Sequence, residues 1–433
     1  MNKPKEHSEL IKAGIIFFIF AGVVAVFNYL YHLSMIRMLG PEDYGILGSL
    51  FAIIYLVTFS TSPINLVISK ITAQYHLKDK EKIKYIYYNS FKKIIFIGLI
   101  GLFIYILLSP FIGAYMNITD IPGIILVGVI AYFSLIAVLL TGTLNGMQKF
   151  VWQNSSGLVS TFLKFALAVI FVWLGFKVNG ALAAIIIGIL ISICVAYIPI
   201  KREFKKLGQK KVDLKPMYYY GIPVFISSIL FILIITIDQI LVKHFFSSTD
   251  AGIYAAAGMI AKVVWFGSSF LIGPLFPKVV ALKSKNKDTS QLLTKSLIYV
   301  SILATLGCVV LFIAPNFIVR ILSGHLYDNA VPLIGMLGVS LGIFSLLQIF
   351  MTYNLAAEKF KFIYIFVIGV LIEIVGIYLF HSSLMDIVKI VLITNIFLLI
   401  SFLLFNKKEI LGKSNFQFLD LLGIRKYVMF IVR

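Results

Sequence analysis

Charged side chains are scarce in this sequence. Only 13% of its 433 residues are Asp, Glu, Lys or Arg, whereas 60% are hydrophobic, and the mean hydropathy is +1.01. A water-soluble domain carries about 25% charged residues and is about half apolar. The composition therefore excludes an ordinary soluble globule and predicts a protein whose surroundings are mostly lipid.

Cysteine and the common enzyme signatures are nearly missing. The two cysteines, Cys194 and Cys308, lie inside apolar runs, which predicts neither a disulfide framework nor a metal cluster. No glycine-rich phosphate loop of the GxxxxGK[ST] kind occurs, and the carboxylates between the apolar runs on the predicted outer side are scattered singly. These features disfavour nucleotide hydrolysis and a membrane enzyme such as a glycosyltransferase or polymerase.

Apolar stretches of about twenty residues recur along the whole chain. Each is long enough to cross a hydrocarbon core of about 30 Å as a helix, and the ten-residue alternation typical of a barrel is not seen. Pro63, Pro110, Pro223 and Pro274 are expected to bend the spans that contain them. The predicted spans are 13–35, 46–69, 94–115, 121–141, 153–174, 179–199, 217–242, 252–277, 297–319, 330–352, 361–380 and 386–405.

Basic residues are distributed unequally between the alternate connections. Of the 38 Lys and Arg residues, 31 fall in the connections on the side of both termini, and only Arg37, Lys177, Lys243 and Arg320 fall on the other side. Cytoplasmic loops carry such an excess of positive charge. Both termini are therefore predicted to be cytoplasmic, and a missed or extra span would destroy this asymmetry.

The two halves of the sequence resemble each other. A shift of 207 superposes Asp43-Tyr44-Gly45 on Asp250-Ala251-Gly252, and a shift of 210 superposes Lys149-Phe150 on Lys359-Phe360. A duplicated six-helix unit leaves this pattern, and an even number of helices makes the repeats parallel. The prediction is an all-α membrane protein with an N-lobe (1–200), a basic linker (201–216), a C-lobe (217–405) and a basic tail (406–433), with a central cavity between the pseudo-symmetric lobes.

Three segments resemble the polysaccharide flippases of the multidrug/oligosaccharidyl-lipid/polysaccharide (MOP) exporter superfamily. They are the Leu39-Gly40-Pro41 to Tyr44-Gly45 turn, the basic connection 70–93, and Asn145-Gly146-Met147-Gln148-Lys149-Phe150. The resemblance implies alternating access of two lobes around a cavity lined by cations. It also implies a substrate of the lipid-linked oligosaccharide class, such as a polyprenyl-pyrophosphate sugar.

Two lysines lie near the middle of predicted spans, one in each lobe. Lys164 is in helix 5 and Lys262 is in helix 8, and ionisable groups retained at that depth are candidates for function. Facing the cavity, each would offer a cation to a pyrophosphate. The alternative is that each lysine extends to the interface or pairs with a buried carboxylate for packing.

Four polar residues of the C-lobe are candidates for ion coupling or gating. Asp238 lies near the outer end of helix 7, Glu373 in the outer half of helix 11, and Thr394 and Asn395 in helix 12. Their oxygens are suited to a sodium ion, most directly those of Asp238, Glu373 and Thr394, and a carboxylate alone can carry a proton. The alternatives are an interfacial carboxylate for Asp238 and a lysine partner for Glu373.

Two outer arginines complete the set of candidates. Arg37 and Arg320 would contact the anionic part of a substrate if they face the cavity, and would be anchored at lipid headgroups if they do not. The cytoplasmic lysines are expected to attract anionic membrane lipids. The net charge of +20 is thereby explained by topology and not by nucleic acid.

The predicted function is that of a flippase, not an enzyme, in the inner membrane of a prokaryote. It would move a lipid-linked oligosaccharide to the outer leaflet for cell-surface polysaccharide synthesis, without a cofactor other than a coupling sodium ion or proton. Polysaccharide polymerase and glycosyltransferases are the expected partners. The alternative within the same superfamily is an ion-coupled antiporter of drugs or organic cations, whose pocket would favour carboxylates and aromatic rings.

Overall fold

The computed structural model describes residues 3–76, 79–205, 207–212, 215–285 and 287–410, and every regular element in these ranges is helical. Ten helices are long and apolar enough to cross a membrane, and the bent pair Gly221–Leu233 and Ile237–Phe245 makes an eleventh crossing. The first of the ten, Phe20–His76, has 57 residues, more than twice the number that one crossing needs. It includes most of the first predicted span and all of the second. Counted as two crossings, it brings the total among the described residues to the twelve that the sequence predicts.

The first half of the chain supplies six of these crossings. Its helices are α1 (Lys3–Ser60), α2 (Ser62–His76), α3 (Lys80–Tyr115), α4 (Ile121–Gly146), α5 (Phe150–Trp173) and α6 (Lys177–Phe204).

The second half supplies the other six and is more interrupted. Its helices are α7 (Lys215–Leu233), α8 (Ile237–Phe245), α9 (Ser248–Ile272), α10 (Leu275–Lys283), α11 (Ser290–Ile313), α12 (Pro315–Leu322), α13 (Val331–Ala356), α14 (Ile363–Leu379), α15 (Leu384–Phe405) and α16 (Lys407–Ile410), with 3-10 turns at His325–Ala330 and Phe360–Phe362. The predicted tail beyond Ile410 lies outside the described residues.

The helix α1 is broken at Gly40. This residue has φ 73° and ψ 175°, a left-handed conformation that glycine adopts without the steric cost of a Cβ atom. Pro41 follows, where its fixed φ suits the start of a new helical segment. The Leu39-Gly40-Pro41 turn of the sequence is thus a sharp break between the first two crossings.

Two of the four prolines expected to bend helices lie at breaks, and two do not. Pro63 follows the turn between α1 and α2, and Pro274 separates α9 from α10. Pro110 and Pro223 lie inside continuous helices. In α3 the hydroxyl of Ser109 donates to the carbonyl of Ile106 at 2.7 Å, which satisfies the carbonyl that the missing N–H of Pro110 leaves without a donor.

The chain divides into two compact units, Met1–Ser228 and Ile229–Arg433, with the boundary inside α7. The same helix pairings occur in each. In the first unit α4 packs against α2, α3 and α6, and in the second α13 packs against α9, α11 and α15. Each fourth crossing therefore lies at the centre of its own unit, as expected for a duplicated six-helix fold.

The repeat extends to hydrogen bonds in equivalent turns of the two halves. Gln148 and Glu358, 210 positions apart, both have φ 57°, and the N–H groups of the following Lys149 and Lys359 donate to the carbonyls of Leu144 and Asn354. Both lysines then bind a carboxylate at the end of the unit. Lys149 pairs with Glu203 at 2.7 Å, and Lys359 pairs with Glu409.

The side chains of α3 show how the protein meets lipid. Phe96, Phe103 and Phe111 are all exposed, whereas small residues such as Gly98 and Gly113 are buried on the opposite face. Hydrocarbon is as apolar as these phenylalanines, so their exposure costs nothing in a bilayer, and small residues allow the helices to approach each other.

Gly188 is predicted to be essential for the packing of α6 on α5. A Cβ atom there would lie 2.6 Å from the carbonyl oxygen of Ser160, so Gly188→Ala should cost about 1–3 kcal/mol through overpacking. The matched control is Gly157→Ala in α5, where nothing lies within 4 Å of the added Cβ and alanine favours the helix. Thermal unfolding in detergent should give a lower midpoint for the first variant and an unchanged or higher one for the second. Equal midpoints would contradict this packing.

Candidate functional site

Asp238 is positioned by a break in the seventh crossing. The chain leaves α7 at Leu233, bends by 43° and enters α8 at Ile237, which places Asp238 in the first turn of a new helix. A carboxylate at a helix N-terminus is stabilised by the helix dipole. The hydroxyl of Tyr254 donates to it at 2.6 Å and the backbone N–H of Gln239 at 2.8 Å. Asp238 is only 9% exposed, so it is part of the interior and not an interfacial residue.

Glu373 lies in α14 and is 0% exposed. Neither of its carboxylate oxygens accepts a hydrogen bond from the described part of the chain. It lies close enough to Asp238 and to Tyr254 for electrostatic interaction. A buried carboxylate without donors is costly. Glu373, close to the second buried carboxylate of Asp238, therefore creates a place for a proton or a cation.

Thr394 and Asn395 are buried in α15. The Asn395 amide donates to the hydroxyl of Ser340 in α13 at 2.7 Å, while the oxygen of that amide and the hydroxyl of Thr394 have no hydrogen-bond partner among the described residues. The helices α8, α14 and α15 pack against one another. The four residues predicted for ion coupling are thus carried by three helices in mutual contact.

Lys262 lies in α9, the helix that carries Tyr254, and its charge interacts with that of Asp238. The C-lobe therefore contains what we call the acidic cluster, made of Asp238, Tyr254, Lys262 and Glu373. This arrangement favours the interpretation of Lys262 as the partner of a buried carboxylate. Tyr254 gave no signal in the sequence, because a tyrosine near an outer loop is typical of any membrane interface.

Lys164 has different surroundings in the N-lobe. Its ammonium donates to the side-chain oxygen of Asn28 and lies 4.6 Å from the centre of the Tyr31 ring. The hydroxyl of this fully buried tyrosine donates in turn to the carbonyl of Ala181 at 3.2 Å. We call these residues, Lys164, Asn28 and Tyr31, the lysine site. An amide and an aromatic face stabilise the cation without neutralising it.

His32 was not singled out in the sequence and lies next to the lysine site. It is buried, and its Nε2 atom is 3.0 Å from the Tyr55 hydroxyl, while its ring packs at 4.6 Å on that of Phe51. The first two crossings are joined here by polar as well as apolar contacts. A histidine inside an apolar span is itself an ionisable group in the membrane, and that signal would have identified it.

The two arginines predicted as substrate contacts, Arg37 and Arg320, are members of neither the acidic cluster nor the lysine site. Arg320 is an exposed residue of α12 that forms two hydrogen bonds, of 3.2 and 3.3 Å, with the carboxylate of Asp328. Arg37 is an exposed residue of α1, five positions after His32. Among the described residues, no three His, Cys, Asp or Glu side chains converge in a way that suits a metal ion.

A comparison with protein-family models matches residues 10–282 to the family described as polysaccharide biosynthesis protein. The chain belongs to this family. An uncharacterised membrane protein of Methanocaldococcus jannaschii is 26% identical over 285 residues, which are 61% of this chain and 65% of that protein. The match thus covers slightly less than two thirds of the relative.

Solved structures show the same fold. An inward-facing multidrug resistance MATE transporter of the MOP superfamily superposes with a TM-score of 0.78 at 13% identity over 91% of this chain and 96% of that one. The lipid II flippase MurJ in an inward closed conformation superposes with a TM-score of 0.71 at 15% identity, over 96% of this chain and 98% of that one. The chain is therefore a multi-pass membrane protein with the two-lobe fold of these structures.

Tyr254 is predicted to stabilise the buried carboxylate of Asp238. Tyr254→Phe removes one of its donors and should lower the free energy of unfolding by about 1–3 kcal/mol. The control is Tyr299→Phe, which removes the hydroxyl of an exposed tyrosine of the same lobe. Thermal unfolding in detergent measures both. An equal midpoint for the two variants would mean that this hydrogen bond does not support the acidic cluster.

Proposed function

We propose that the protein is a flippase that moves a lipid-linked, polyprenyl-pyrophosphate oligosaccharide from the cytoplasmic to the outer leaflet of a prokaryotic inner membrane. Membership of a polysaccharide biosynthesis family supports this substrate class. The lysine site is the observation that carries the proposal. Lys164 lies in the middle of a crossing, and its contacts there are the neutral Asn28 amide and Tyr31 ring, so neither of these groups competes with an anion for its ammonium.

The chemistry of the lysine site suits a pyrophosphate. An ammonium group donates up to three hydrogen bonds, and charge-assisted bonds to phosphate oxygens are among the strongest in proteins. Asn28 uses its side-chain oxygen for Lys164 and its amide N–H for the carbonyl of Val24 at 3.0 Å, so its orientation is fixed. An organic cation, the substrate class of a drug antiporter, would be repelled by Lys164.

The acidic cluster is proposed as the coupling site. Glu373 without a hydrogen-bond donor, Asp238 close to it, and the Thr394 hydroxyl without a partner supply the oxygen atoms that a hard cation such as sodium requires. A proton on Glu373 would instead remove the repulsion between its carboxylate and that of Asp238. Binding of either ion in one state of an alternating-access cycle would shift the balance between states by its difference in affinity.

This proposal places the protein between two other activities. Glycosyltransferases would supply the lipid-linked oligosaccharide on the cytoplasmic side, and a polysaccharide polymerase would consume it on the outer side. Consumption of the product would favour net transport even where ion coupling is weak.

Translocation in proteoliposomes tests the substrate class. The wild type should flip a fluorescent polyprenyl-pyrophosphate oligosaccharide, and Lys164→Met should slow flipping by at least about tenfold, because a charge-assisted hydrogen bond contributes about 1.5–3 kcal/mol. Lys164→Arg should retain part of the rate, and Lys92→Met, which removes an exposed lysine of α3, should have no effect. A wild type that is inert toward several such lipids but expels an organic cation down an ion gradient would replace this proposal with the antiporter.

Ion binding can be tested separately by thermal unfolding. Sodium chloride should raise the wild-type midpoint relative to choline chloride, with a gain of about 1.4 kcal/mol at ten times the dissociation constant. Glu373→Gln and Thr394→Val should abolish the gain, whereas Asp250→Asn, at an exposed helix cap, should retain it. Stabilisation by acid instead of sodium would assign the site to a proton. A midpoint that responds to neither ion would overturn coupling at the acidic cluster.

A further inference from the structure

An apolar groove of about 350 Å³ lies in the first unit, at the end of α3 that the sequence predicts to be cytoplasmic. Its floor is one face of α3, formed by Ser90, Lys93, Ile94, Ile97 and Gly98. The spacing of these residues, three or four positions apart, places them in a row along the helix. All residues that line the groove belong to the unit Met1–Ser228.

The walls of the groove come from the neighbouring helices. Ile64 and Val67 of α2 line one side, and Ile222 and Phe225 of α7 line the other. Gly221 lies close to Val67, since a Cβ atom there would be in ordinary contact with that side chain at 3.6 Å. Ile222 remains 56% exposed and Phe225 41%, so the side chains present an open apolar channel.

The groove is polar at one end only. Ser90 and Lys93 lie toward the cytoplasmic start of α3, and Gly98 lies eight residues further into the crossing, about 12 Å deeper at 1.5 Å per residue. The inner half of the hydrocarbon core is about 15 Å thick. The groove therefore runs from the level of the inner headgroups into the acyl region, with its cation at the headgroup end.

The lining of the groove indicates the kind of lipid that fits it. A cationic end next to apolar walls matches an amphiphile with an anionic head at the inner leaflet. The lipid end of the proposed substrate, a polyprenyl phosphate, has these features, with one anionic head and one branched apolar chain.

We infer that this groove is the docking site for the lipid end of the substrate, with the phosphate at Lys93 and the isoprenoid chain between α2, α3 and α7. This inference rests on the proposed function and adds the means by which the carrier lipid is recognised. The lysine site would bind the pyrophosphate during transport. The groove would bind the carrier at the inner leaflet before transport begins.

Binding of a photoactivatable polyprenyl monophosphate without sugar tests the groove in nanodiscs. Lys93→Ala should weaken binding by about fivefold, the effect of one basic residue near an anionic headgroup, and Ile222→Trp should weaken it by filling the channel. The controls are Lys92→Ala and Ile226→Trp, which change exposed neighbours on the same helices that do not line the groove. Crosslinks should fall on α3 and α7.

Each outcome of this experiment decides the inference. The inference is supported if the two groove variants bind polyprenyl phosphate more weakly while their two controls bind it normally. All four variants should keep the wild-type thermal midpoint. If phosphatidylglycerol binds as well as polyprenyl phosphate, or displaces it at equal concentration, the occupant is an ordinary membrane lipid and the inference is overturned. Unchanged polyprenyl phosphate binding in both groove variants would also overturn it.

Failure of the groove and failure of the proposed function give different results. If the groove is wrong, the wild type still flips the oligosaccharide lipid and Lys93→Ala flips it at the same rate. If the proposed function is wrong, the wild type flips no such lipid at all, whatever the groove binds.

Discussion

The cost of placing charge in hydrocarbon governs this structure. A charged side chain at the centre of a bilayer costs a few kcal/mol on insertion scales, and lysines outside the crossings avoid that cost by collecting on the cytoplasmic side. Apart from Lys361 at the first position of a span, the basic residues inside predicted spans are Lys164, Lys262 and Lys389. Lys389 lies near the start of α15 and pairs with Asp386 at 3.3 Å. Lys164 and Lys262 are retained at depth and both have specific partners, and Lys243, in the α8 half of the bent crossing, is buried as well.

The same cost explains how the helices are built. Every backbone group inside hydrocarbon needs a partner within the protein, so breaks in the crossings require compensation. The break at Gly40 lies at a turn that the sequence places on the outer side, whereas Pro110 is tolerated within α3 because Ser109 bonds the carbonyl of Ile106. A proline therefore does not by itself predict a break. The sequence shows the proline but not the rotamer of the serine.

Much of the fold followed from the sequence because it depends on hydrophobicity and charge, which are properties of single residues. The spans, the duplication and the two-lobe fold were predicted from apolar length, lysine distribution and a few loop motifs. The contacts Tyr254 to Asp238 and His32 to Tyr55 were not. They join residues on different helical segments, and their formation depends on packing angles and helix rotation that no local pattern encodes.

The lysine site and the acidic cluster include residues at nearly equivalent positions of the two repeats. Under the 210-residue shift, Lys164 of the fifth crossing falls one position from Glu373 of the eleventh. Duplication thus supplied two similar helical frameworks, and divergence placed a cation in one and a carboxylate in the other. The surroundings follow the charges: neutral groups hold Lys164, and Glu373 lacks any described hydrogen-bond donor. The proposed function, with an anionic cargo and a small coupling cation, requires two such environments, and a duplicated fold provides them on similar helical frameworks.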